Sequence, residues 1–237
     1  LRAYLLTSPL MKGEDVSFST TGVPEVVRGF MLILWNSYKF FLDYVNLSDW
    51  SCAKTPKNIR DELTVLDKWI LAKLTDLVHQ TNKSLDVYDA STPLRLIQDF
   101  VVNDLSTWYI RRCRDRASDT VFLSTTYGVL CTICKLLAPF MPFIAENMYR
   151  NLTDEESVHL TDFPMGDDTL LDNKLIADME VVRQLVVIGH GQRKEANLKL
   201  RQPLAKFNYQ AAEELSSELA EVLADELNVK QIVFDEA

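Results

Sequence analysis

Apolar residues recur every three or four positions over five long stretches of the chain and alternate over only two short ones, so helices should dominate. From Pro24 to Val45 the series Val27, Phe30, Met31, Leu34, Tyr38 and Phe41 marks one buried helix face, and Ser19, Thr20 and Thr21 ahead of Pro24 and Glu25 supply a cap and first turn. A second helix is expected from Arg60 or Thr64 to Ser84, carried by Leu66, Trp69, Ile70, Leu74, Leu77 and Val78. The chain turns over Asp86 to Thr92, and Pro93 opens a third helix that includes the stretch FVVNDLSTWYIRRCRDR, Phe100 to Arg116. The fourth, Thr126 to about Asn151, is almost continuously apolar. Pro139 and Pro142 must kink or break it, because each removes a backbone donor.

The loops are set by polar and turn residues. Ser48 to Asn58 reads as a surface loop, Asp119 to Ser124 separates the third and fourth helices, and TDEESVHLTDFPMGDD reads as a linker. A fifth helix follows from about Asp172 to Ala196, loosened near its end by Gly189 and Gly191. In ANLKLRQPLAKFNYQ the alternation of Leu198, Leu200, Leu204 and Phe207 suggests a strand, which Pro203 confines to an edge or interrupts. Leu215 to Leu227 has helical spacing and Val229 to Phe234 has strand character. The expected fold is therefore mainly α, a helical bundle with a small α/β appendage at the C-terminus. Its expected divisions are an opening remnant (1–23), the bundle (24–152), a linker (153–171) and a helix plus β-α-β appendage (172–237). The remnant begins with an apolar helical fragment that has nothing before it to pack on, so the chain reads as cut from something larger.

Composition changes this picture little; charge changes it more. With 237 residues and 47% hydrophobic content the chain can bury a substantial core, and 7 Gly and 8 Pro leave little room for a turn-rich β architecture. The net charge of -9 argues against a protein that coats nucleic acid indiscriminately, but not against a local basic site. Acids gather in Asp154 to Glu180 and Glu213 to Glu236, cations in Arg111 to Arg116 and Arg183 to Lys206. The cysteines, Cys52, Cys113, Cys131 and Cys134, sit in apolar or helical settings without a secretory signal, the pattern of a reduced cytoplasmic chain. Cys131 and Cys134 form a lone CxxC with no second pair, which argues against a metal site. No histidine is placed as a catalytic base, and no apolar run is expected to cross a membrane.

The candidate chemistry lies on the third helix. Trp108 and Tyr109 precede Arg111, Arg112, Arg114 and Arg116. Guanidinium groups fork onto phosphates and stack on bases, and a tryptophan ring beside them offers a platform for an unstacked base. The same pattern also fits a core helix whose arginines are solvated or paired with acids such as Asp104 or Glu146. Arg111 and Arg112 diverge by about 100° on a helix.

Several segments in order carry a resemblance: LRAYLLTSP, LWNSYKFF, LDKWILAKL, FVVNDLSTWYIRRCRDR, LLAPFMPFIAENMY, SVHLTDFP and KEANLKLRQPL. Together they resemble isoleucyl-tRNA synthetases downstream of the catalytic domain, over nearly the whole chain. LWN, DKWIL, LAPFMPFI and the WYIRR helix are similar to the valyl and leucyl enzymes as well, whereas NLKLRQPL and VHLTDFP look like the isoleucyl branch. The resemblance implies a helical domain that holds the anticodon stem-loop of tRNA(Ile). The His-Ile-Gly-His-like and Lys-Met-Ser-Lys-Ser-like signatures are not found here, so ATP, Mg and aminoacylation would belong to a catalytic domain elsewhere in the parent. That parent is expected to be a cytoplasmic monomer.

By the same resemblance the recognition surface lies between the first helix and the arginine helix. This maps onto Trp35, Asn36 and Lys39 on one side and Trp108, Arg111, Arg112 and Arg114 on the other. Trp35 could equally be core between helices, and Asn36 a bridge between them. Lys194, Lys199 and Arg201, with Arg193 and Lys206, could grip stem phosphates or form the solvated face of a strand. The reading set against all of this is a helical scaffold or protein-interaction module with no RNA role.

Overall fold

The computed structural model describes residues 1–15, 21–52 and 59–235. Ser19 and Thr20 of the expected cap, and the second half of the expected loop Ser48 to Asn58, lie outside the described residues. The chain clusters into two compact units, Leu1–Leu171 and Asp172–Ala237.

The first unit is a bundle. After α1 (Arg2–Leu6), a long helix is built from α2 (Gly22–Val26), a π-helical turn (Val27–Met31) and α3 (Leu32–Leu47), with Thr21 at its N-cap. It buries Phe30, Leu34, Tyr38 and Phe41, four members of the apolar series. Next comes α4 (Val65–Asp86), whose start is fixed by a reciprocal cap. Thr64 accepts from the Asp67 backbone N–H, and the Asp67 carboxylate accepts from the Thr64 backbone N–H. That decides between the two expected starts. α5 (Ser91–Asp99) begins two residues before Pro93, because the Asp89 side chain accepts from the backbone N–H groups of Ser91 and Thr92.

Where the sequence predicts one continuous helix through Arg116, the structure differs. Phe100–Ile110 is π-helical, Arg111 and Arg112 complete the last turn, and Arg114–Arg116 forms a separate 3-10 turn after Cys113. The i to i+5 hydrogen bonding of a π-helix is invisible to a 3.6-residue pattern.

The fourth expected helix is two. α6 (Thr120–Leu137) starts six residues early, because the Asp119 carboxylate accepts from the Val121 N–H at 3.1 Å. α7 (Pro142–Leu152) opens on Pro142, where a missing N–H costs nothing, so the prolines break the helix as expected. α6 is also long and apolar enough, by length and composition, to cross a membrane. Here it is a core helix that buries Phe122, Leu123, Leu130 and Ile133 among α3, α4 and α7. Residues 153–171 carry two 3-10 turns, Val158–Leu160 and Asp168–Leu170, and cluster with the first unit. Glu146 accepts from the Ser157 hydroxyl and the Val158 N–H, and Asn82 donates to the Pro164 carbonyl.

In the second unit α8 (Asn173–Glu195), β1 (Phe207–Tyr209), α9 (Ser217–Leu227) and β2 (Ile232–Phe234) form a β-α-β motif backed by a helix, with the two strands parallel. α8 is capped by Asp172, whose carboxylate accepts from the Leu175 N–H at 2.9 Å. It is not loosened at Gly189. A Cβ there would lie 2.6 Å from Leu227 Cδ2, so the glycine admits the end of α9. The strand expected over Leu198 to Phe207 shrinks to its last residue, with a single bridge from Leu204 to Val229. Asn197 ends α8 in the left-handed conformation, the Leu198 N–H bonds back to the Arg193 carbonyl, and the carbonyls of Lys199 and Gln202 are taken by the Arg193 side chain. Those carbonyls accept from a side chain rather than from a strand.

Candidate nucleic-acid interface

The cationic end of the π-helical stretch is built around two side chains that face inward. Tyr109 is buried and stacks on Phe122 with centroids 5.6 Å apart. Its hydroxyl donates to Asp67 Oδ1 at 2.6 Å. Arg116 donates through Nη2 to the same oxygen at 2.6 Å and to Thr64 Oγ1 at 3.0 Å, and its guanidinium lies 5.8 Å from the Phe122 ring centroid. Asp67 is wholly buried, with its other oxygen held by the Thr64 hydroxyl at 2.6 Å. A buried carboxylate is tolerated only when paired and hydrogen-bonded, and this one is both.

The electrostatics follow. Burial is the largest single influence and opposes the charge on Arg116, but the hydrogen bond to Asp67 together with the charges of Cys113, Asp67 and Tyr109 outweighs it and raises its pKa. Burial, then the Asp67 charge, holds the Tyr109 hydroxyl well above its ordinary value. Burial also pushes the Cys113 thiol up to about 11, so it is a protonated core group.

An arginine of the stretch thus pairs with a bundle carboxylate, Arg116 with Asp67. Asp104 is bridged to Lys73 at 3.2 Å, and Glu146 accepts from Ser157 and Val158. Asp67 was not singled out from sequence. The Thr64-x-x-Asp67 spacing that makes it a cap residue was the available signal.

The remaining arginines differ in exposure. Arg111 and Arg114 are exposed and Arg112 is half-buried. Arg111 and Arg112 stand three and four positions after Trp108, and their guanidinium carbons lie 5.9 and 5.8 Å from its ring centroid. Their divergence along the helix therefore does not separate them, because both flank one ring. Trp108 itself is 6% exposed. At that exposure Trp108 stands with the core residues, and the two guanidinium groups lie against its ring.

Trp35 is the exposed tryptophan of the two, at 40%, with Asn36 and Lys39 exposed beside it. Its ring leans on Tyr38 at 5.3 Å. Phe40, around the same helix, leans instead on Phe122, beside Tyr109 and Arg116. The structure thus gathers Trp108, Arg111 and Arg112 at one place and leaves Trp35 leaning on Tyr38 of its own helix. In the second unit Lys194, Lys199 and Arg201 are exposed, whereas Arg193 is 5% exposed and donates to the carbonyls of Lys199, Gln202, Leu227 and Asn228. Of that basic stretch, Arg193 is a structural clasp.

Comparison with known proteins places this chain in a family. The profile of the anticodon-binding domain of tRNA ligases matches residues 67–208, from Asp67 through the arginine stretch to β1. The isoleucine-tRNA ligase of Protochlamydia amoebophila is 40% identical over 99% of this chain. That of Chlamydia trachomatis serovar D is 40% identical over 99%, and that of Dehalococcoides mccartyi strain CBDB1 is 42% identical over 94%. The chain spans about a quarter of the length of these relatives, 24% of each. A match over more than half of the residues, on the helices that build the arginine surface, identifies the chain as a member of the anticodon-binding domain family of tRNA ligases.

Proposed function

We propose that this chain is the anticodon stem-loop-binding region of an isoleucyl-tRNA synthetase, which holds tRNA(Ile) while a catalytic domain elsewhere in the parent, using ATP and Mg, carries out aminoacylation. The parent acts as a cytoplasmic monomer in this reading. The observation that carries it is the pair of guanidinium groups held against the Trp108 ring at an exposed helix end, within the residues that match the family. Phosphates need cations, and splayed loop bases need planar faces and polar edges. Arg111, Arg112 and Arg114 supply the first. Trp35 supplies an open ring, with Asn36 and Lys39 beside it. Lys194, Lys199 and Arg201 add further cations for stem phosphates.

The test is binding of the chain to tRNA(Ile), and to the same tRNA with its anticodon bases replaced, across a salt series. A preference for the native anticodon that survives moderate salt is the expected result. Equal, salt-labile binding to both would reduce the chain to a positioning element, and no binding at all would remove the reading.

A further inference from the structure

One carboxylate oxygen gathers the whole cationic segment. Asp67 Oδ1 receives the Tyr109 hydroxyl and Arg116 Nη2, each at 2.6 Å. Tyr109 and Arg116 are the residues just before and just after the segment that carries Arg111, Arg112 and Arg114. Between those anchors the backbone is closed by short turns. The Cys113 N–H bonds to the Tyr109 carbonyl at 3.0 Å and the Arg116 N–H to the Cys113 carbonyl at 3.1 Å, and just beyond them the Asp119 N–H bonds to the Arg116 carbonyl at 2.9 Å.

We propose that Asp67 is a positioning residue for RNA binding: it staples both ends of the segment, so that the guanidinium groups of Arg111, Arg112 and Arg114 are presented in one fixed arrangement. The inference rests on the RNA-facing reading of Arg111, Arg112 and Arg114 given above. Asp67 touches no ligand in this mechanism and acts only through Tyr109 and Arg116.

The physical need is conformational. Each arginine side chain carries large rotamer and backbone freedom, and a cationic segment free to move would have to lose that freedom on binding. A segment already clamped at both ends loses less. The clamp sits on rigid structure, since Asp67 is in the first turn of α4 and its second oxygen is fixed by Thr64. Arg116 is further held by Cys113 Sγ at 3.3 Å and, more distantly, by Asp119 at 3.8 Å. Its planar fork makes it suited to joining several acceptors at once.

The test separates positioning from simple stability. Binding of an isoleucine anticodon stem-loop RNA is measured for the wild-type chain, Asp67→Asn, Arg114→Ala and the double variant, at a temperature where circular dichroism shows each to be folded. Tyr109→Phe serves as a second variant, because it removes one arm of the staple and keeps the ring stacked on Phe122. Asp67→Asn should weaken binding five- to tenfold, and Tyr109→Phe should weaken it two- to fivefold. The Arg114→Ala loss should shrink at least threefold in the Asp67→Asn background, since a loosened segment no longer presents Arg114. An Arg114→Ala loss of the same size in both backgrounds overturns the staple while leaving the RNA-facing reading intact. No Arg114→Ala effect in the wild-type chain overturns the RNA-facing reading itself, and the staple with it.

Discussion

The two basic stretches of the chain each turn one arginine inward, against different partners. In the first unit Arg116 meets a buried carboxylate, and in the second unit Arg193 meets four backbone carbonyls, two of them at the end of α9. The first is an ion pair that neutralises a charge the fold has taken out of water. The second completes a helix C-terminus, where the last carbonyls lack intrahelical partners and the dipole favours a cation. The lesson is that local cation density does not mark an interface by itself. In each stretch one arginine, Arg116 or Arg193, holds the fold.

That difference sets an order of sensitivity. Arg116→Ala should cost most, about 3–5 kcal/mol by urea unfolding, because it leaves the Asp67 carboxylate buried without its counter-charge. A loss below about 1 kcal/mol would mean that Thr64 and Tyr109 satisfy the carboxylate alone. Arg193→Ala should cost less, about 2–3 kcal/mol, since carbonyls left unpartnered carry no net charge. Native-state hydrogen exchange should place that loss in residues 172–235 only, and protection falling equally in both units would break the comparison.

Two glycines on α8 sharpen it further. Gly189→Ala should destabilise by about 1 kcal/mol, because its Cβ would meet the buried Leu227 side chain at the helix end that Arg193 caps. Gly191→Ala meets nothing within 4 Å and should stabilise by about 0.5–1 kcal/mol, which thermal unfolding would show as opposite shifts. Smallest of all, Lys199→Ala should leave stability within about 0.5 kcal/mol and lower the salt slope of tRNA binding by about 1. A stability loss there would move Lys199 to the structural side with Arg193.

Much of the architecture was legible in sequence, because each helix buries a stripe that the 3.6-residue period reveals. Leu34, Tyr38 and Phe41, or Trp69, Ile70 and Leu77, could be assigned inward without coordinates. Boundaries set by short polar side chains were less legible. Asp119 starts α6 within what reads as a loop, and Asp89 starts α5 before the proline that seems to mark it. Least legible were long-range partnerships. Nothing local tells Arg116 from Arg112, since the distinction lies in Asp67, which sits on another helix. Trp108 and Trp35 show the same limit. Both flank apolar stripes, and only packing decides that the first is covered and the second open.

The parallel pairing of β1 with β2 carries a consequence for how the second unit forms. Antiparallel strands can zip from a tight turn, but Phe207 can meet Ile232 only after the intervening α9 has crossed over between them. No hairpin is available as a nucleus. The sheet must therefore arise together with the docking of α9 on α8, in one concerted step of high sequence separation, and β1 and β2 should gain protection during refolding no earlier than α9 does.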